Sequence, residues 1–168
     1  MKLTKSKLKH YFKEIIFFMI AMTIIANIMS LYRSQSLSSK PLSITNFQLI
    51  NNNIYKVDHT KPIIIHFWAT WCPTCKLEAS NINFLSKQYQ VITIAVKSGS
   101  DNEIKKYMRE NNYNFNVVND QNGTLSQKFK IAAFPTTFIY DKNKKLIFRE
   151  VGYSSTFGLW LRVLWSEY

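Results

Sequence analysis

Cysteine, glycine and proline are all scarce in this chain: two, four and four residues respectively among 168. Two cysteines cannot build a disulfide-rich scaffold. They also cannot supply a four-cysteine zinc centre, and His10, His59 and His66 lack the close His spacing that would complete a mixed one. So little glycine and proline excludes a collagenous chain, and with 46% hydrophobic and 15% aromatic residues it excludes a wholly disordered one. Acidic residues are also few, ten against 22 basic ones, for a formal charge of +12. That excess raises nucleic acid or a membrane surface as a partner. Lys2, Lys5, Lys7, Lys9, Lys13 and Arg33 flank one apolar segment, and the other basic residues are scattered without a nucleic-acid motif, so no nucleic-acid partner is expected. No internal repeat is visible, and the length suits one folded domain.

From 15 to 32 the run IIFFMIAMTIIANIMSLY carries no charge and approaches the roughly 20 residues that a membrane-crossing helix needs. Five lysines precede it and few basic residues follow. The positive-inside rule therefore puts residues 1–14 in the cytoplasm, 15–32 across the membrane and the remainder outside. A cleaved signal peptide shares the basic start and apolar run, but no small-x-small pair sits cleanly at the end of this one, and an uncleaved single-pass anchor is expected. Residues 33–45, Ser-rich and polar, read as a flexible tether. A folded domain follows over 46–168.

Within that domain, Asn46–Leu49 and Ile54–Val57 flank an Asn-rich turn and suit a hairpin. IIIHFW (63–68) and VITIAV (91–96) read as buried strands, and a helix is predicted from Pro73 to about Tyr89 with Leu77, Ile82 and Leu85 on its apolar side. Ser100 and Glu103 form a capping-box pattern opening a helix to about Glu110. A short strand at 116–119 and a brief helix near 125–129 follow. A hairpin of 136–140 with 146–151 then leads to a last helix over about 155–165, predicted to carry Phe157, Leu161 and Leu164 on one side. The order implies an α/β fold with a mixed central sheet covered by helices on both faces.

The chemistry centres on HFWATWCPTCKLE, where two cysteines three apart stand at a strand-to-helix junction. A thiol at a helix N-terminus is held as thiolate by the macrodipole and the free amides. Cys72 is accordingly the expected nucleophile and Cys75 the resolving residue one turn further in. Pro73 stiffens the turn without removing a needed donor. A structural disulfide closing so short a loop would restrain the unfolded chain little. A copper(I) dithiolate site would use the same two soft ligands and stays open.

These residues resemble the thioredoxin superfamily, specifically its membrane-anchored TlpA, ResA and DsbE-like branch, which carries FWATWC followed by a Pro-containing dipeptide. The resemblance extends through VVNDQNGTLSQKF, AAFPTTFIYD and REVGY. It implies a thioredoxin-like fold, a protein thiol:disulfide oxidoreductase that needs no bound cofactor, and Pro135 as the substrate-facing cis-proline. It also implies a membrane electron donor of the DsbD type and a periplasmic catalytic domain held on a bacterial inner membrane. VKSGSDNE and VGYSSTFGLWLRVLW, with the basic start and anchor, are similar to the suppressor of copper sensitivity (ScsD) group, which implies a link to copper tolerance. The DsbE-like haem-maturation reductases share WATWCPTC but usually place an acid after the cis-proline, where this chain has Thr136.

Three neighbours complete the candidate site. His66 occupies the place of a buried acid in thioredoxins; it would shuttle a proton to Cys75 or serve as a hydrogen-bonded core histidine. Glu78 reads from periodicity as a surface helix residue, and the resemblance matches it to a carboxylate that tunes thiol acidity. Trp71, beside Cys72, is expected on the substrate-facing surface, with Trp68 a packing residue.

Overall fold

The structure is a computed structural model that describes residues 5–167. Lys2, part of the basic N-terminus, lies outside the described residues, as do the side chains of Lys5, Lys7 and Lys9. The chain divides into two compact units, residues 1–35 and 36–168.

The first unit is a single helix, α1 (Lys5–Ser34), whose segment His10–Ser34 is long and apolar enough to cross a membrane. The candidate stretch includes the uncharged run 15–32 and extends a few residues to either side of it. Its polar residues are satisfied locally: Thr23 Oγ1 donates to the Met19 carbonyl at 2.8 Å, and Asn27 Nδ2 to the Thr23 carbonyl at 2.7 Å. Such back-bonding lets polar side chains sit on an apolar helix without an unpaired group.

The second unit begins with a small antiparallel hairpin, β1 (Asn46–Gln48) and β2 (Ile54–Lys56). Asn52 turns the chain with φ 66°, a conformation that asparagine tolerates better than most residues. The chain continues through β3 (Ile63–Trp68), α2 (Pro73–Leu85), β4 (Gln90–Val96), α3 (Asp101–Glu110), β5 (Asn116–Asp120), α4 (Thr124–Lys128), β6 (Thr136–Tyr140), β7 (Leu146–Val151) and α5 (Thr156–Glu167). Five strands form one mixed sheet in the order β5-β4-β3-β6-β7, parallel through β3, β4 and β5 and antiparallel at β6 and β7.

Central β3 is buried at all six positions, which explains its unbroken apolar reading. Its alternate residues feed two cores. Ile64 and Trp68 meet Ile82 and Leu85 of α2, Ile104 and Met108 of α3, and Leu159 and Val163 of α5. Ile63, Ile65 and Phe67 meet Phe129, Phe138 and Phe47 on the other face. There the rings of Phe67, Phe129 and Phe138 lie with centroids 5.0 to 5.9 Å apart. The capping box forms: Ser100 Oγ accepts from the Glu103 amide and Glu103 Oε2 accepts from the Ser100 amide. At α4 the cap comes from further back, with the Asp120 carboxylate accepting from the amides of Leu125 and Ser126 at 3.0 and 2.8 Å.

Three readings need correction. The stretch taken as a free tether is docked: Leu37 and Leu42 are buried in the second core, Ser38 N–H donates to the Phe129 carbonyl, and Leu42 N–H to that of Lys144. Lone leucines in a Ser-rich run found pockets. Leu77 is 70% exposed, and α2 buries Cys75, Glu78, Ala79, Ile82 and Leu85 instead. On α5 the buried side is Leu159 and Val163, while Phe157 and Leu161 face solvent, because the helix is apolar nearly all round and packing alone chose its face.

Candidate active site

The redox pair stands where β3 hands over to α2. Cys72 is the N-cap of α2, with extended backbone, and Pro73 takes the first helical position. Cys72 Sγ accepts from the Cys75 amide at 3.2 Å, so one of the helix's unpaired donors points at that sulfur. Cys72 and Cys75 form a disulfide with Cα atoms 5.3 Å apart, and they are only 5% and 2% exposed.

The loop before Cys72 is fixed from the side by the segment after β4. Thr70 N–H donates to Ser98 Oγ at 3.1 Å, and Trp71 Nε1–H donates to the Lys97 carbonyl at 3.1 Å. These anchors leave the Trp71 ring 59% exposed beside the disulfide, edge-on to Phe134 with centroids 5.6 Å apart. The Phe134–Pro135 peptide is cis, and the Pro135 carbonyl accepts from Gly152 N–H at 2.8 Å. The exposed Trp71 ring thus leans on the half-buried Phe134 ring next to the redox pair, and Pro135, next in sequence, is buried. Phe134, Lys97 and Ser98 were not singled out from the sequence; only the place of Phe134 before Pro135 hinted at its role.

His66 is buried on the β3 face that packs against α2, with Nδ1 3.0 Å from Thr137 Oγ1 of β6. Burial pushes its imidazole down to about 3, so it stays neutral at ordinary pH. Glu78 is fully buried, contrary to its surface reading. Cys75, Glu78, Ala79, Ile82 and Leu85 recur at three- and four-residue spacing on one stripe, and that stripe was the available signal. Neither Glu78 oxygen has a hydrogen-bond partner among the described residues. Burial drives its carboxyl up to about 8; the Ser154 amide, which faces it without reaching hydrogen-bond geometry, works weakly against this, and the Glu150 carboxylate adds to it. Glu150 is itself held by Ser154 Oγ–H at 2.8 Å and by an ion pair with Arg162 of α5.

Among the described residues no group of three or more His, Cys, Asp or Glu is arranged to hold a metal ion. The two sulfurs are the soft donors at the site, and only reduction would free them as thiolates.

The chain matches known proteins over most of this unit. Residues 42–149 match the AhpC/TSA family. A "Thioredoxin-like protein" of Haemophilus influenzae is 29% identical over 165 residues, covering 96% of this chain and 98% of the relative. The "Thiol:disulfide interchange protein DsbE" of Vibrio cholerae is 31% identical over 106 residues, 62% of this chain and 56% of that protein. Among solved structures, StoA from Bacillus subtilis superposes with a TM-score of 0.65 at 19% identity, covering 74% of this chain and 98% of StoA, which shows a shared thioredoxin-like α/β fold.

Proposed function

The chain belongs to the AhpC/TSA family, within the thioredoxin superfamily, and is an enzyme of the thiol-disulfide oxidoreductase class; from that premise we propose that it exchanges disulfides with protein partners outside a bacterial inner membrane. The observation that carries the reading is the Cys72–Cys75 disulfide with Cys72 as helix N-cap. In the reducing direction the Cys72 thiolate attacks a partner disulfide. A Cys72–partner disulfide forms and one partner thiolate leaves. The Cys75 thiolate then attacks Cys72 Sγ, closing the intramolecular disulfide and releasing the second partner thiolate. Two electrons pass to the partner, and no bound cofactor is needed. The reverse sequence oxidises a dithiol.

The helix N-terminus and the Cys75 amide stabilise the Cys72 thiolate. Cys75 needs a group that takes its proton before it attacks. Glu78, one turn along the same buried stripe and poised near neutrality, suits that task better than His66, which resists protonation down to about pH 3. The exposed Trp71 ring, backed by half-buried Phe134 and the cis-Pro135 next to it in sequence, is the surface a partner chain would meet.

The helix His10–Ser34 serves in this reading as a single-pass inner-membrane anchor with a cytoplasmic N-terminus. A DsbD-type membrane protein would return electrons to the pair, and the resemblance to ScsD supports a role in copper tolerance. A second reading, a reductase for cytochrome c maturation, is supported by the similarity to proteins named DsbE. Thr136, where those reductases usually place an acid, weighs against it.

Trapping tests the proposal. Cys75→Ala, produced with its anchor in a bacterial cell, should accumulate mixed disulfides between Cys72 and periplasmic proteins that vanish on reduction and are absent from Cys72→Ala/Cys75→Ala. Capture of nothing would overturn protein disulfide exchange. Capture of apocytochrome c alone would move the function to haem-protein maturation.

A further inference from the structure

A concavity lies apart from the redox pair, between α3, the loop after β1 and edge strand β5. Its volume is about 310 Å³, near the small end for ligand sites. Ile50, Met108, Phe115 and Val117, all buried residues of the first core, form its floor. Lys105 and Arg109, one helical turn apart on α3, stand at its rim, and no acidic residue lines it. Among the described residues neither cation takes part in an ion pair or a side-chain hydrogen bond, whereas the neighbouring Lys106 is paired with Glu110 at 3.8 Å. The polar remainder of the lining is amide, including Asn51 and Asn116.

An apolar floor beneath two unpaired cations selects its occupant by chemistry. A fully apolar guest would leave both cations without a counter-charge, and a bare inorganic anion would leave the floor uncovered. A molecule with an apolar body and one carboxylate satisfies both, since Arg can take a carboxylate in two parallel hydrogen bonds and Lys can add a point charge. The aromatic wall favours a planar body, because Tyr113 and Phe115 are stacked with centroids 5.5 Å apart. We propose that this concavity is a binding site for a small aromatic carboxylate.

The site is wired to the redox end by one ring. Phe115 is edge-on to Trp68 at 5.8 Å, and Trp68 also faces Tyr107 at 5.6 Å. Trp68 ends β3, four residues before Cys72. Trp68 itself does not line the concavity, so an occupant would reach the ring that packs under the redox loop only through Phe115.

The test uses the full chain in nanodiscs of zwitterionic lipid with methionine methyl groups carbon-13 labelled, the probe being 3-phenylpropionate. The Met108 methyl resonance, assigned by Met108→Leu, should shift saturably at low millimolar probe. The uncharged 3-phenylpropionamide and acetate should each bind at least tenfold more weakly. Lys105→Gln/Arg109→Gln should weaken the probe at least tenfold, while Lys106→Gln, on the paired neighbour, should leave it unchanged. No saturable shift, an equal response to the amide, or an unaffected double variant would each overturn the proposal. A site that answers to an acidic, aromatic peptide but not to 3-phenylpropionate would overturn the small-acid assignment in favour of a peptide surface.

Discussion

Replacing Glu78 by Gln should make the protein more stable, and increasingly so as pH rises. The carboxyl is fully buried and its titration moves from 4.5 to about 8 on folding. Between those values the unfolded chain releases a proton that the folded chain keeps. The contribution of Glu78 to stability therefore falls as pH rises through the window and is undiminished below it. At about 1.4 kcal/mol per tenfold in proton concentration, the loss reaches about 3 kcal/mol at pH 7 and about 5 above pH 8. Gln keeps the shape of protonated Glu and cannot ionise, so the variant escapes that loss. Urea unfolding of the oxidised fragment 36–168, followed by circular dichroism at pH 4, 7 and 9, should show equal stabilities at pH 4 and a gap widening to several kcal/mol at pH 9. A gap that stays constant within about 1 kcal/mol over this range would refute the argument, because it would mean that Glu78 ionises in the fold as it does in water.

His66 should shape the opposite limb. Its titration drops from 6.5 to about 3 on folding, so stability is full above 6.5 and is lost as pH falls towards 3. From 4.5 to 6.5 the two groups titrate against each other and stability should be level; His66→Asn should flatten the acid limb in the same urea series. Lys144 is buried with Nζ donating to the Asp58 and Lys61 carbonyls at 2.8 and 3.0 Å, so Lys144→Met should cost about 2 to 3 kcal/mol in unfolding free energy, and a loss under about 0.5 would show those carbonyls find water.

The strand-to-helix junction was legible because each level of the sequence agrees there. A β-branched run long enough for one strand is followed by a proline suited only to a first turn, with the cysteines on either side of it. The face of α5 was not legible, because apolar residues stand on most sides of TFGLWLRVLW and only packing into the core selects Leu159 and Val163. Glu78 was hidden by its charge: carboxylates belong on surfaces by default, although its spacing from Cys75 put it on the stripe that faces inward. Lys97, Ser98 and Glu150 reach the site by tertiary contacts spanning 26 or more residues, and no local pattern announces such contacts.

The small exposure of both sulfurs bears on how the pair keeps its oxidation state. With 5% of Cys72 and 2% of Cys75 open, a freely diffusing thiol has almost no productive angle of approach, while a protein that first docks on the Trp71 ring can be steered onto the nearer sulfur. Under the proposed disulfide exchange, such a couple would be insulated: it would hold the state its last docked partner left it in and change it only at the next docking event.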